Sequence, residues 1–118
     1  MKKRVRIILS PEAEEVYNYL VKEATENKFE KSILNSFIKK KDLIKINRHY
    51  GDAISKDKIP KKYVDKFGIK NLFRVELPHY WRMIYTLTNN EKDVEIICFI
   101  LNIFSHEKYN KVFGYKKK

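Results

Sequence analysis

The chain has 118 residues, 43% hydrophobic and 14% aromatic, which suits a single domain with one buried core and excludes a disordered chain. The lone Cys98 excludes an internal disulfide, and the longest apolar run, Ile96 to Leu101, is far too short to cross a bilayer. We therefore expect one cytoplasmic domain over residues 1–118, with no membrane partner, whose net charge of +11 favours polyanions.

The first elements are a strand and two helices. Residues 4–9, "RVRIIL", alternate and are rich in β-branched side chains, which predicts a strand. Ser10 is a good N-cap and Pro11 a favoured first helical residue, so a helix is predicted from there to about Glu26. A second amphipathic helix follows through Ile44, and the two helices are expected to pack as a hairpin.

The periodicity lapses after these helices. Residues 47–70 are predicted to form a long basic connection with one helical turn near Lys61–Lys66. Three strands are predicted next, at about 71–77, 81–88 and 93–104, with a turn at 89–91 between the last two. The final strand is apolar at almost every position, which is typical of a strand covered on both faces. The predicted order is β-α-α-β-β-β, an α+β domain.

The stretch "RVELPHYWRMIY", residues 74–85, places charges in a predicted hairpin. A two-residue loop would put Arg82 on the apolar side, whereas a three-residue loop over 78–80 sets it opposite Glu76. The second register leaves one apolar face and gathers Arg74, Glu76 and Arg82 on the other. A cross-strand ion pair on a solvated face, worth under about 1 kcal/mol, would give the same pattern.

A catalytic site is possible if the segment after the last strand lies on the same face of the sheet as these three charged residues. His106 and Tyr109 are three residues apart, so on a helical turn they share a side. Carboxylate, imidazole, phenol and two guanidiniums are the groups needed to cleave RNA through its 2′-hydroxyl. Glu76 is the predicted base, Arg74 and Arg82 the predicted phosphate stabilisers, and His106 or Tyr109 the predicted acid.

Positive charge is concentrated beside these strands. Residues 39–74 carry 12 basic and 4 acidic side chains, a net +8. This favours RNA contact, although an acidic protein partner or a solvated basic loop would show the same pattern. The histidines are scattered and no cysteine pair exists, so neither a metal nor a small-molecule cofactor is expected. The predicted contacts to RNA or the ribosome are Lys61, Lys62, Lys66, Lys70 and, by stacking, Tyr80.

The segments "NLFRVELPHYWRMIYTL" and "IFSHEKYNKVFGY" resemble the RelE/ParE superfamily of toxins from type II toxin–antitoxin modules. The resemblance is nearest to the HigB-like and archaeal RelE-like members, and its specific motifs cover about 71–88 and 99–115. It implies a helical hairpin on a mainly antiparallel four-stranded sheet. It also implies a ribosome-dependent mRNA endonuclease, silenced by a cognate antitoxin protein.

The family's motif arginine corresponds to Arg82 in "WRMIY", and its first basic strand position corresponds to Arg74. The C-terminal pair of the family corresponds to His106 and Tyr109. Glu76 departs from the pattern, because many members carry a second basic residue there. Two alternatives stay open, a ParE-like inhibitor of DNA gyrase and a non-catalytic RNA- or ribosome-binding module. The His/Tyr pair argues against the first.

Overall fold

The computed structural model describes residues 4–89 and 95–114. Over these residues the chain forms an α+β domain, in which four helices pack on a mixed five-stranded sheet. The strands are β1 (Arg4–Leu9), β2 (Asp52–Ala53), β3 (Phe73–Glu76), β4 (Arg82–Asn89) and β5 (Glu95–Phe104). The helices are α1 (Pro11–Glu23), α2 (Lys28–Ile46), α3 (Lys61–Phe67) and α4 (His106–Phe113).

The link from β1 to α1 depends on Ser10, which is fully buried. Its hydroxyl accepts a hydrogen bond from Ala13 N at 3.0 Å and donates one to Leu101 O at 2.6 Å. The first bond caps α1, and the second ties its start to β5. The predicted helix start is therefore confirmed. The helix itself ends at Glu23, three residues before the predicted end at Glu26.

The sheet has the order β1-β5-β4-β3-β2, with β1 parallel to β5 and the other pairs antiparallel. The expectation of four strands is wrong, because Asp52 and Ala53 pair with Arg74 and Phe73 as a fifth, very short strand. Two residues are too few to show alternation in sequence. Within the connection over 47–70, the helical turn predicted near Lys61–Lys66 is confirmed as α3, which ends at Phe67.

The β3–β4 hairpin has the three-residue loop that the charge pattern predicts. Leu77 N donates to Trp81 O at 2.8 Å, which closes the loop over residues 78–80. Glu76 therefore stands opposite Arg82, and the apolar partners fall on the other face. The remaining register pairs are Phe73 with Tyr85, Arg74 with Ile84 and Val75 with Met83.

Each face of the sheet is covered by its own apolar cluster. The larger cluster lies under α1 and α2 and includes Leu20, Phe37 and Met83. The smaller one lies under α3 and α4 and includes Tyr63 and Tyr109. Side chains of β5 enter both clusters, so the expected burial of this strand on both faces is confirmed. Its Cys98 belongs to the larger cluster, where burial raises the pKa of the thiol to about 12.

Part of the predicted turn at 89–91, namely Asn90 and Glu91, lies outside the described residues, as do residues 93 and 94 of the predicted last strand. Within 4–89 and 95–114, no helix combines the length and the apolar character that crossing a membrane would require.

Candidate active site

Five side chains meet on the sheet face that α4 covers in part: Arg74, Glu76, Arg82, His106 and Tyr109. We call them the arginine cluster. They come from β3, β4 and the start of α4, which are far apart in sequence but adjacent on the sheet. These are the five residues that the sequence predicts to be catalytic, and the structure places them in one group.

Arg82 is at the centre of the arginine cluster, with only 12% of its side chain exposed. Its Nη1 lies 2.8 Å from His106 Nδ1, and its Cζ lies 4.5 Å from the centre of the Tyr109 ring. A guanidinium can only donate hydrogen bonds, so Nδ1 accepts and the neutral ring carries its proton on Nε2. The guanidinium is thus fixed between an imidazole acceptor and an aromatic face.

Arg74 is held by Tyr109. Its Nη1 donates to Tyr109 Oη at 3.3 Å, and this hydrogen bond is the main reason that the pKa of the guanidinium is raised. The Tyr109 side chain is buried, stacked on Phe113 at 4.4 Å between ring centres and edge-on to Phe104. Tyr109 therefore joins the arginine cluster to the apolar cluster beneath α4.

Glu76 lies beside both arginines and is half exposed. Its Oε1 is 3.4 Å from Nε of Arg74 and 3.4 Å from Nε of Arg82. Both Nε atoms are buried, yet neither makes a hydrogen bond of good geometry within the described part of the chain. Glu76 therefore balances the charge of the two guanidiniums, while their Nε donors are left without a well-aligned acceptor.

His106 takes its position from the way α4 begins. Ser105 caps the helix, its hydroxyl accepting from Lys108 N at 3.3 Å. His106, the first residue of α4, is therefore set directly at the end of β5 and opposite the start of β4. Asn110, one turn further on, has its amide 3.2 Å from His106 Nε2. The atom at this distance is the amide nitrogen Nδ2, so the Asn110 amide must be turned by 180° for its carbonyl oxygen to accept from a protonated Nε2.

Tyr80 stands at the edge of the arginine cluster. Its ring is 73% exposed and lies 5.9 Å from the His106 ring, centre to centre. Its carbonyl oxygen accepts from Arg82 Nη1 at 3.3 Å. The sequence predicts Tyr80 as a stacking residue, and the structure places it where a group bound at Arg82 would be within reach.

The four lysines predicted to contact RNA or the ribosome have different surroundings in the structure. Lys66 is paired with Glu12 at 2.8 Å, and Lys62 lies over the Tyr63 ring at 5.3 Å. Lys61 and Lys70 are exposed.

A groove of about 540 Å³ between α3 and α4 is lined by Lys62 together with Lys108 and Lys111. The last two were not predicted as binding residues. The signal for them was the positive balance of residues 106–118, which carry 5 basic and 1 acidic side chains.

A second basic cavity, of about 560 Å³, lies far from the arginine cluster. It is at the β1 edge of the sheet and is lined by Arg4, Arg6, Lys41 and Lys45. Strand β1 is an edge strand, and charged side chains on such an edge also prevent pairing with other chains. The arginine cluster, with its converging donors and acceptors, is the better candidate for chemistry.

Comparison of the chain with protein-family models, with curated proteins and with solved structures found no match in any of the three.

Proposed function

We propose that this protein is the toxin of a type II toxin–antitoxin module, a RelE-like endoribonuclease that cuts mRNA on the ribosome in the cytoplasm. A cognate antitoxin protein is its proposed partner. The single observation that carries the proposal is the contact of Arg82 with His106 at 2.8 Å, next to Arg74 and Glu76. The resemblance of the two sequence segments to the RelE/ParE superfamily supplies the class of substrate.

The proposed reaction is a transfer to the ribose 2′-hydroxyl. Glu76 takes the proton of this hydroxyl, and the 2′-oxygen forms a bond to the phosphorus while the bond to the 5′-oxygen breaks. The departing 5′-oxygen receives a proton from the acid. The products are a 2′,3′-cyclic phosphate and a 5′-hydroxyl. Arg74 and Arg82 stabilise the additional negative charge on the phosphate in the transition state.

The surroundings of the two candidate acids favour His106. Tyr109 is only 2% exposed, and its oxygen accepts from Arg74. His106 is exposed, but its Nδ1 is occupied by the Arg82 guanidinium. A bound phosphate would give Arg82 a stronger, charged acceptor and so release that nitrogen, which then takes up a proton from water and can pass it to the departing 5′-oxygen. Substrate binding and the freeing of the acid are thus coupled in this proposal.

The RNA backbone is proposed to continue along the groove between α3 and α4. Lys62, Lys108 and Lys111 outnumber Glu107 in the lining of this groove, and a track of cations is how single-stranded nucleic acid is commonly held. The lysine at position 66 contributes less, since Glu12 already neutralises it.

The proposal predicts that catalysis depends far more strongly than binding on Arg82 and His106. Replacement of Arg82 by Ala or Lys should lower mRNA cleavage on programmed ribosomes about 100- to 1000-fold, because one transition-state donor is removed or misplaced. The substitution His106→Ala should lower it about 100-fold or more. Binding to ribosomes should change less than about tenfold. The measurement is single-turnover cleavage with mapping of 5′-hydroxyl ends.

Arg6→Ala is the matched control, because Arg6 is an exposed arginine on β1 that pairs only weakly with Glu95, at 3.9 Å. It should cleave like the unaltered protein. Equal losses of binding and cleavage in the Arg82 variants would instead identify a binding module. Growth arrest with DNA damage and intact transcripts would identify a gyrase inhibitor.

A further inference from the structure

The β3–β4 turn has an uncommon backbone. His79 and Tyr80 are consecutive, neither is glycine, and their φ angles are +61° and +63°. The left-handed region costs free energy for residues with a Cβ, and such a conformation persists only where the surroundings hold it. The turn is closed by hydrogen bonds from Leu77 N to Trp81 O at 2.8 Å and from Trp81 N to Pro78 O at 3.2 Å.

The turn is held from outside by the first part of α2. The His79 ring stacks on Phe29, with 4.2 Å between centres and 21° between planes. Its Nε2 lies 3.1 Å from Ser32 Oγ. That hydroxyl donates its proton to Phe29 O at 2.7 Å, so His79 Nε2 must be the donor to it. Stacking and hydrogen bonding together fix the imidazole in one orientation.

The same turn delivers two groups to the arginine cluster. The carbonyl oxygen of Tyr80 accepts from Arg82 Nη1, and the Tyr80 ring faces His106 at 5.9 Å. The ring is nevertheless 73% exposed. Ordering an exposed aromatic side chain beside a phosphate-binding group gives a surface on which a nucleobase can stack, whatever its sequence.

We propose that His79 is a positioning residue, which by its contacts with Phe29 and Ser32 holds Tyr80 as the stacking surface for the base next to the cleaved phosphate. The inference rests on the proposed function and deepens it, because it names a subsite for one nucleobase. His79 itself touches neither phosphate nor base.

The first experiment tests the clamp without RNA. The variants His79→Ala and Phe29→Ala should each speed amide hydrogen exchange at Leu77 and Trp81 about tenfold or more, because the turn loses its external support. Exchange within β5 should stay unchanged. If His79→Ala fails to fold, His79→Asn is used instead, since asparagine tolerates a positive φ but cannot stack in the same way. Unchanged exchange at Trp81 would overturn the clamp.

The second experiment asks whether His79 acts through Tyr80. On programmed ribosomes, Tyr80→Ala should lower kcat/KM for mRNA cleavage about tenfold, as expected when one base is no longer stacked. His79→Ala should lower it to a similar extent, and the double variant should be no worse than either single variant. Tyr19→Ala, which removes an exposed tyrosine on α1, serves as the control.

An mRNA with an abasic residue on either side of the cut completes the test. The unaltered protein should cut one of the two abasic substrates about tenfold more slowly than the intact mRNA. The Tyr80→Ala variant should cut that abasic substrate and the intact mRNA at the same rate. Additive effects of His79→Ala and Tyr80→Ala, or no response to either abasic substrate, would overturn the proposal. If the unaltered protein cuts no mRNA at all, the nuclease proposal and the base subsite fail together, while the exchange measurement still decides the clamp.

Discussion

At the scale of single residues, Tyr85 of β4 holds the start of the segment 47–70 against the sheet. Its side chain is fully buried and stacks on Phe73 at 5.1 Å. Its hydroxyl donates to Arg48 O at 2.8 Å and accepts from Gly51 N at 3.0 Å. A Cβ on Gly51 would come within 3.0 Å of Arg74 O and of the Tyr85 ring. Glycine therefore suits this close approach, since a side chain here would have to displace Arg74 O or the Tyr85 ring by a few tenths of an ångström.

We predict that Tyr85→Phe lowers the free energy of unfolding by about 1–3 kcal/mol, because it leaves a backbone donor and a backbone acceptor without their partner. Tyr50→Phe is the matched control. Its hydroxyl accepts from Lys40 on the surface at 3.1 Å, so we expect a change within about 0.5 kcal/mol. Urea unfolding at pH 7 measures both.

The Tyr85 contribution should also depend on pH. Burial raises the pKa of Tyr85 to about 12 in the folded chain, whereas an unfolded tyrosine titrates near about 10. The folded state thus binds this proton more tightly, and the resulting stability is complete below about pH 10 and is lost as the pH rises towards about 12. The difference between the unaltered protein and Tyr85→Phe should shrink over that range. A difference independent of pH would contradict this explanation.

At the scale of elements, the register of the β3–β4 hairpin could be predicted, because it depends only on which face of the sheet Arg82 occupies. Placing Arg82 on the charged face fixes the loop length, and the loop length fixes every pair between β3 and β4. Strand β2 could not be predicted, because its two residues pair only where Gly51 and Tyr85 bring the chain close to β3. Its formation is a tertiary effect with no local pattern.

The candidate active site, too, could be predicted from the sequence only in part. That Arg74, Glu76 and Arg82 share a face follows from the alternation along two strands. That His106 comes within 2.8 Å of Arg82 depends on α4 returning over the sheet. This return is fixed by packing of Tyr109 against Phe104 of β5, which no sequence spacing reveals. Membership of the arginine cluster was predictable, whereas its distances were not.

The two serine caps allow a prediction at this scale. Ser10→Ala should cost about 2–3 kcal/mol, because it removes a helix cap and also leaves the buried Leu101 carbonyl without its hydroxyl partner. Ser105→Ala should cost only about 1 kcal/mol, since this serine caps α4 near the surface. Urea unfolding of both variants measures the difference.

The effect of the two substitutions on mRNA cleavage should be the reverse of their effect on stability. Ser105→Ala loosens the first turn of α4, which begins with His106, so it should slow mRNA cleavage more than Ser10→Ala does under conditions where both are folded. Equal stability losses in the two variants, or faster cleavage by Ser105→Ala, would count against the assigned roles of these caps.

At the scale of the whole molecule, the charge of +11 is distributed unevenly. Lys62 of α3 and Lys108 and Lys111 of α4 line one groove, together with Ser105 and Glu107 on either side of His106 in the sequence. Binding to single-stranded RNA should therefore weaken with salt, because each neutralised phosphate releases counterions. Lys66 of α3 is an exception, since its ammonium is already paired with Glu12 on α1.

We predict that replacing Lys61, Lys62 and Lys70 together by Ala reduces the slope of log affinity against log salt by about 2, which is roughly 0.7 for each phosphate that is no longer neutralised. Lys66→Ala should change the slope much less, because its charge is already balanced by Glu12. Fluorescence anisotropy with a labelled oligonucleotide at several KCl concentrations measures both. An equal effect of Lys66→Ala would show that the ion pair opens when RNA binds.

The parallel pairing of β1 with β5 has a consequence for how the chain is made. These strands lie next to each other in the sheet, yet some 90 residues separate them along the sequence. During translation β1 stays without its partner strand until β5 has been synthesised. Contacts between segments so distant in sequence also form slowly. His106 follows β5 directly, so its meeting with Arg82 comes after sheet closure. A nascent chain on its own ribosome therefore lacks the complete cluster until β5 and the first turns of α4 have been synthesised.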